Sequence, residues 1–162
     1  METVTLYTRQ NDKTLAQLER DGRIVNQRLY VRLHFGDCAD LFLESYEWFA
    51  QEAAKRVPRP DDGRLSIWCS ISRENCLKAI EGTVVYVLEV PKDQVIYFDE
   101  AKWDHVLNRI YIPESPEDAA AYKAHLKKLG VSDGFQFFQG RYAGMYPQEV
   151  ERIRESWKRV ST

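Results

Sequence analysis

The sequence predicts an α+β domain whose sheet is mixed or mostly antiparallel and flanked by helices. Three observations lead there. Apolar and polar residues alternate with period two in several short segments, the mark of half-buried strands, while other segments carry apolar residues at helical spacing. The two kinds follow one another without a regular strand–helix–strand rhythm, which argues against a parallel α/β sheet. The chain has 162 residues, 44% of them hydrophobic and 30% charged, a size and composition that can bury a core of its own. No repeat or low-complexity tract interrupts it. The only boundary candidate, PRPDDG, is too short to separate two cores, so residues 1–162 read as a single domain.

The elements follow in order. Val4, Leu6 and Thr8 alternate with Thr5, Tyr7 and Arg9, a strand over about 3–9. Asn11 or Asp12 caps a short helix with Leu15 and Leu18 on one face, stopped at Gly22. Leu29, Val31, Leu33 and Phe35 alternate with Tyr30, Arg32 and His34, which reads as a second strand. Leu41, Ser45, Trp48, Phe49, Glu52, Ala53 and Arg56 place the longest helix at 38–57, with Leu41, Trp48 and Phe49 facing the sheet. Pro58, Pro60 and the Asp61-Asp62-Gly63 turn end it.

Leu65, Ile67, Cys69 and Ile71 alternate with Ser66, Trp68, Ser70 and Ser72 as a third strand, expected in one sheet with 3–9 and 83–90. Ser72 then caps a helix carrying Cys76, Leu77 and Ile80, closed by Gly82. Thr83 to Val90 is dense in β-branched residues and reads as a central strand, ended by Pro91, with a further strand at 95–98. Helices are expected at 100–109, at 116–129 between Ser115-Pro116 and Gly130, and at 147–160. A short strand fits 135–138.

Charge and cysteine content narrow the function. Twenty-five acidic residues against 23 basic ones give a net charge of −2, so no global field draws in nucleic acid or anionic lipid. Three cysteines, an odd number, argue against a disulfide scaffold and for a reducing compartment. With no basic-then-apolar opening and no long apolar run, the expectation is a cytoplasmic protein without a signal peptide or membrane span. Walker, GxGxxG, HExxH, GxSxG and CxxC patterns are absent, which sets aside the nucleotide hydrolases, dinucleotide oxidoreductases and zinc hydrolases recognised by them. His34 and Cys38 stand four apart without further ligands, so no metal site is expected. Cys69 and Cys76 read as core residues, and His105 as a surface imidazole or a base.

Strand parity gives the better signal. Tyr7 and Arg9 share the polar side of the first strand, and Trp68, Ser70 and Ser72 that of the third. Were these strands neighbours, Arg9, Tyr7, Trp68 and Ser70 would converge: a guanidinium for phosphate, rings for stacking, a hydroxyl for ribose. The same side also reads as a solvated face with Arg9 paired to a carboxylate. Glu89, inside a near-continuous apolar strand, is either a strand-end charge or a site carboxylate.

Two resemblances extend this reading. LYTRQ, YEWFAQEAAKRV with its proline-rich sequel, VVYVLEVPKDQVIYFDEAKWDHVLNRIYIP and RESWKRV together resemble an uncharacterised bacterial domain-of-unknown-function family, in order along nearly the whole chain. Trp103 to Asn108 is the most specific stretch. Members continue past the Ser156-Trp157 motif with a further strand that this sequence does not include. Separately, LYTRQ–NDKTLAQLERDG–RIV, and LSIWCSISRENCLKAI followed by VVYVLEV, are similar to segments of ADP-ribosyltransferase-type domains. That resemblance implies an ADP-ribosyltransferase-like fold and NAD as the nucleotide. It places Arg9 in the NAD-binding position and Ser70 in the second position, and strand parity adds Tyr7 and Trp68 beside them as walls of the cofactor site. The third, a carboxylate or amide, falls on Glu89, Gln139 or Glu149, none of them in a Glu-x-Glu or Gln-x-Glu pair. With Glu89 and Ser70 as catalytic residues, the implied activity is ADP-ribosyl transfer to an undefined acceptor. The alternative is a non-catalytic ligand-binding or protein-interaction module of the same fold.

Overall fold

A computed structural model describes residues 1–59 and 65–161. It is a mixed α+β structure, and the chain divides into two compact units, Met1–Ile96 and Tyr97–Thr162.

In the first unit, strand β1 (Thr3–Asn11) pairs antiparallel with strand β2 (Thr83–Pro91), Tyr7 lying opposite Val87 and Thr5 opposite Glu89. The two strands are the whole sheet among the described residues. Alternation in β1 is realised as expected: Leu6 and Thr8 are buried, and Tyr7 and Arg9 stand on the other face. Between the strands, Asp12 N–H bonds the Gly82 carbonyl at 2.9 Å. Gly82 has φ 78°, a conformation that costs a side-chain-bearing residue and that glycine adopts readily.

Helix α1 (Lys13–Asp21) ends at Gly22 as expected, and of its two candidate caps it is Asn11 whose Oδ1 accepts from Lys13 N–H at 2.9 Å. Thr14 joins it to β2 through a 2.8 Å hydrogen bond with the Tyr86 hydroxyl.

Residues 28–35, expected as a strand, form helix α2 (Arg28–Phe35). Val31 and Phe35, four apart, pack with Phe42, Leu43, Tyr46 and Leu65, whereas Leu29 and Leu33 are 57% and 74% exposed. The period-two pattern assumed that every apolar residue there is buried; two of them are not, and the remaining pair has helical spacing. Helix α3 (Ala39–Ala53) is shorter than 38–57. It buries Leu43, Ser45, Phe49 and Ala50, leaving the expected Leu41 and Trp48 half-buried. The turn expected at Pro60 to Gly63 lies outside the described residues.

The third strand is not formed. Among the described residues, 65–71 pair as β-structure only in two isolated bridges, Leu65 with Asn26 and Ser70 with Tyr7. Beyond the Ser70 bridge the link to β1 is a side-chain one, Thr8 Oγ1 donating to the Trp68 carbonyl at 2.8 Å. The helix expected after Ser72 is a series of turns in which Leu77 and Ile80 are exposed and only Cys76 is buried. Ser72 Oγ still accepts from Asn75 N–H, capping a turn rather than a helix. Residues 95–98 likewise form no strand; a 3-10 turn at Lys92–Gln94 precedes them.

The second unit is helical. Helix α4 (Glu100–Leu107) is capped by Asp99 through Lys102 N–H and buries Trp103 and Val106. Helix α5 (Pro116–Leu129) has the expected ends: Ser115 accepts from Asp118 N–H, Pro116 opens the first turn, and Gly130 closes it at φ 72°. The strand expected at 135–138 is a 3-10 helix at Gly134–Phe137, started by Asp133 accepting from Phe135 N–H. A side chain that bonds the backbone two residues on favours a turn over a ladder. Helix α6 (Pro147–Trp157) runs into a 3-10 turn at Lys158–Ser161, and Ile153, Trp157 and Val160 are buried. No helix among the described residues is long and apolar enough to cross a membrane.

Candidate functional site

Residues opposed across an antiparallel ladder project from the same face. The register therefore puts Thr3, Thr5, Tyr7 and Arg9 of β1 on one face with Pro91, Glu89, Val87 and Val85 of β2. Ser70 joins this row from the far edge of β1: Tyr7 N–H donates to the Ser70 carbonyl at 3.0 Å, and Ser70 N–H to the Tyr7 carbonyl at 2.7 Å. Arg9, Tyr7, Ser70 and Glu89 thus share one side of the sheet. Arg9 and Thr5, the partner of Glu89, are four residues apart, about 13 Å along the strand.

The polar groups on this face are held at both ends. Glu89 accepts from the Thr3 hydroxyl at 3.2 Å and from the Thr5 hydroxyl. Arg9 Nη1 donates to the Lys78 carbonyl at 3.0 Å, and among the described residues no carboxylate pairs with it. Its guanidinium is anchored and keeps unused donors. Ser70 Oγ donates to the Asn75 carbonyl at 3.2 Å. A second cation, Arg73, lies 5.6 Å over the Tyr7 ring, a cation–π contact. Arg73 was not singled out by the sequence, which reads its segment as helix.

Trp68 is placed differently. Its ring packs 4.9 Å from Phe49 and 5.7 Å from Tyr46, with the interior side of α3. The parity that put it beside Arg9 assumed a regular strand through 65–71, and that strand is absent. Cys69 shows no sign of a nucleophile: burial first, and then the neighbouring Cys76, push its thiol above the usual range. Among the described residues no group of three or more His, Cys, Asp and Glu could hold a metal ion.

The second unit holds a cluster that the sequence showed only in part. Glu149, one of the three candidates for the third position, is 7% exposed, and its Oε1 lies 2.8 Å from His125 Nε2. Tyr122, one turn before His125 on α5, stacks on Tyr111 at 4.1 Å with the Arg152 guanidinium 5.3 Å over its ring. Burial, and then the charge of Glu149, push the Tyr122 phenol well above its ordinary range. Tyr122 and His125, three apart, could have been noticed as polar residues at helical spacing, Tyr122 lying four before the buried Leu126. Their partner is on another helix, which spacing cannot reveal. His105, by contrast, places Nδ1 2.9 Å from the Ala101 carbonyl of its own helix.

No curated protein and no solved structure matches the chain. One family does, described as a domain of unknown function (DUF3841), over residues 5–161. That span takes in β1 from Thr5 on, β2 and every helix above, including the Trp103–Asn108 and Ser156-Trp157 segments, and the chain belongs to this family.

Proposed function

We propose that the first unit binds a nucleotide of the NAD or ADP-ribose class on the face carrying Arg9, Tyr7, Ser70 and Glu89, and transfers ADP-ribose from NAD to an acceptor. The observation that supports this is the common side given to those four residues by the β1–β2 register and the Ser70 bridge. An arginine fork with one donor fixed on a backbone carbonyl and others unused suits a pyrophosphate, whose oxygens accept charge-assisted bonds. Tyr7 and Arg73 offer a ring and a second cation beside it. Glu89 would face the positive charge that builds on the ribose as nicotinamide leaves.

A non-catalytic binding module is the second reading, favoured by a specific observation: both Glu89 oxygens are engaged by Thr3 and Thr5. Calorimetric titration with ADP-ribose and NAD, together with chromatographic detection of nicotinamide, separates the readings. Transferase activity predicts binding, nicotinamide release, and a Glu89→Gln variant that binds but no longer releases it. Binding without release from the unmodified chain selects the module. In either case Arg9→Ala abolishes binding while the melting temperature holds. If neither ligand binds at millimolar concentration, both readings fail.

A further inference from the structure

Strand β2 stands at the edge of the sheet, yet its composition is that of an interior strand. Val84, Val85, Tyr86, Val87, Leu88 and Val90 make it apolar on both faces. No residue of β2 is buried, and Val87 is 52% exposed.

The register shows which main-chain groups of β2 face outward. Asp12 N–H bonds the Gly82 carbonyl at 2.9 Å and Lys92 N–H bonds the Glu2 carbonyl at 3.0 Å, so hydrogen-bonded pairs stand at both ends of the β1–β2 ladder. Bonded and unbonded pairs alternate in an antiparallel ladder. Val84, Tyr86, Leu88 and Val90 therefore turn their N–H and carbonyl groups to β1, and Val85, Val87 and Glu89 turn theirs outward. Tyr7, opposite Val87, obeys the same alternation by directing its own N–H and carbonyl to Ser70. Among the described residues no hydrogen bond occupies the outward main-chain groups of Val85, Val87 and Glu89. Natural edges are guarded by a lysine, a proline, a bulge or an inward charge. From Thr83 to Val90 the only charge is Glu89, and its carboxylate is drawn back over β1 by Thr3 and Thr5.

The sequence of this edge is close to a palindrome. Antiparallel pairing of residues 83–89 with themselves about Tyr86 sets Val85 against Val87, Val84 against Leu88 and Thr83 against Glu89. No like charges meet, and Val85 and Val87 exchange both main-chain bonds with their mates. An axis at Val87 would instead set Val85 against Glu89 and Thr83 against Pro91, which has no N–H to give. Thr83 N–H is itself taken by the Ile80 carbonyl at 3.0 Å, which limits the ladder at its other end.

We propose that β2 pairs with β2 of a second copy of this chain, antiparallel and centred on Tyr86, joining the two sheets into one across a two-fold axis. Such an interface uses the same patch on both copies and closes at a dimer. The far edge of β1 is already engaged by the Ser70 bridge and by the bond from Thr8 to the Trp68 carbonyl. One short ladder is a small interface, so dissociation falls in the micromolar range or above. The pairing runs along the edge of the sheet and does not depend on a ligand at the face carrying Arg9.

Sedimentation velocity of the full chain, from low micromolar to millimolar concentration, should show a reversible monomer–dimer equilibrium. In a mixture of isotope-labelled and unlabelled chain, filtered NOE spectra should show Tyr86 Hα against its counterpart and Val84 Hα against Leu88 Hα, the close pairs of this register. Val87→Pro removes an outward N–H that makes no bond within the chain, so it should stay monomeric at every concentration while its melting temperature in dilute solution holds. Should the proline prevent folding, Val87→Lys keeps the backbone and should raise the dissociation constant about tenfold, because it sets two like charges beside each other across the axis. The proposal is overturned if the parent chain remains a monomer at millimolar concentration, as it would if this edge takes an extended segment of a different protein. It is also overturned if Val87→Pro or Val87→Lys dimerises as well as the parent, or if the contacts between copies fall outside β2.

Discussion

Ser156 shows how a single hydroxyl can hold a distant piece of chain. Its Oγ accepts from the buried Ile112 N–H at 2.9 Å and donates to the Ile153 carbonyl at 2.6 Å. The adjoining Trp157 donates its indole N–H to the Ile110 carbonyl at 2.9 Å. Ser156→Ala leaves the Ile112 amide buried without a partner, so urea denaturation should show a loss of about 1–3 kcal/mol. Trp157→Ala removes a side chain that is 1% exposed and should cost about 3–5 kcal/mol, whereas Trp157→Phe should cost much less. Helical spacing with Ile153 and Val160 already marks Trp157 as a packing residue. The Ser156 bond to Ile112 is not legible in the same way, because that partner lies 44 positions away. The candidate site behaves alike: parity places Tyr7 with Arg9, but only the register brings Glu89 to Thr3 and Thr5, and nothing local announces Arg73 over Tyr7.

Among the elements, α2 offers the sharpest contrast between a helix and the strand its sequence suggests. In a half-buried strand Leu29, Val31, Leu33 and Phe35 would all face the core, so a charge at any of them would be ruinous. In α2 only Val31 and Phe35 face inward. Leu33→Glu should therefore change stability by no more than about 0.5 kcal/mol, as expected for an open surface position. Val31→Ala should cost more, and a Leu33→Glu variant that unfolds would restore the strand. Elements with strong end signals were readable: α5, between Ser115-Pro116 and Gly130, has the expected bounds, and Ser115→Ala should cost about 0.5–2 kcal/mol through its lost cap. The β-branched run of β2 was readable too. Short segments were not, since four alternating residues fit a strand, a bridge or a turn equally, and a side-chain bond such as Thr8 to the Trp68 carbonyl decides among them.

At the scale of the whole chain, acidic and basic residues nearly balance at neutral pH, and particular carboxylates give the acid sensitivity a local component. Both units contain carboxylates held below the ordinary range; beside the exposed Asp21, lowered by its hydrogen bond to Arg20, they are Glu47 and Asp118. In the first, Glu47 is lowered mainly by its hydrogen bond to Arg59, at 2.7 Å, and then by Arg28, against the opposing effect of burial. In the second, Asp118 is lowered by the Glu114 N–H and then by the Tyr111 hydroxyl, both at 2.9 Å. A carboxylate whose folded pKa is depressed stabilises the fold fully above its unfolded pKa, and that contribution disappears as pH falls through the folded value. Both act in the same direction, so melting temperature should be level above the unfolded carboxylate range, near 4, and fall below it. Glu47→Gln and Asp118→Asn remove the titrating groups, so each should lower the melting temperature at neutral pH and make the acid decline shallower. Glu47 is partly open to solvent, and added salt should shrink its share of the effect. An acid limb unchanged in both variants would place the sensitivity on other groups.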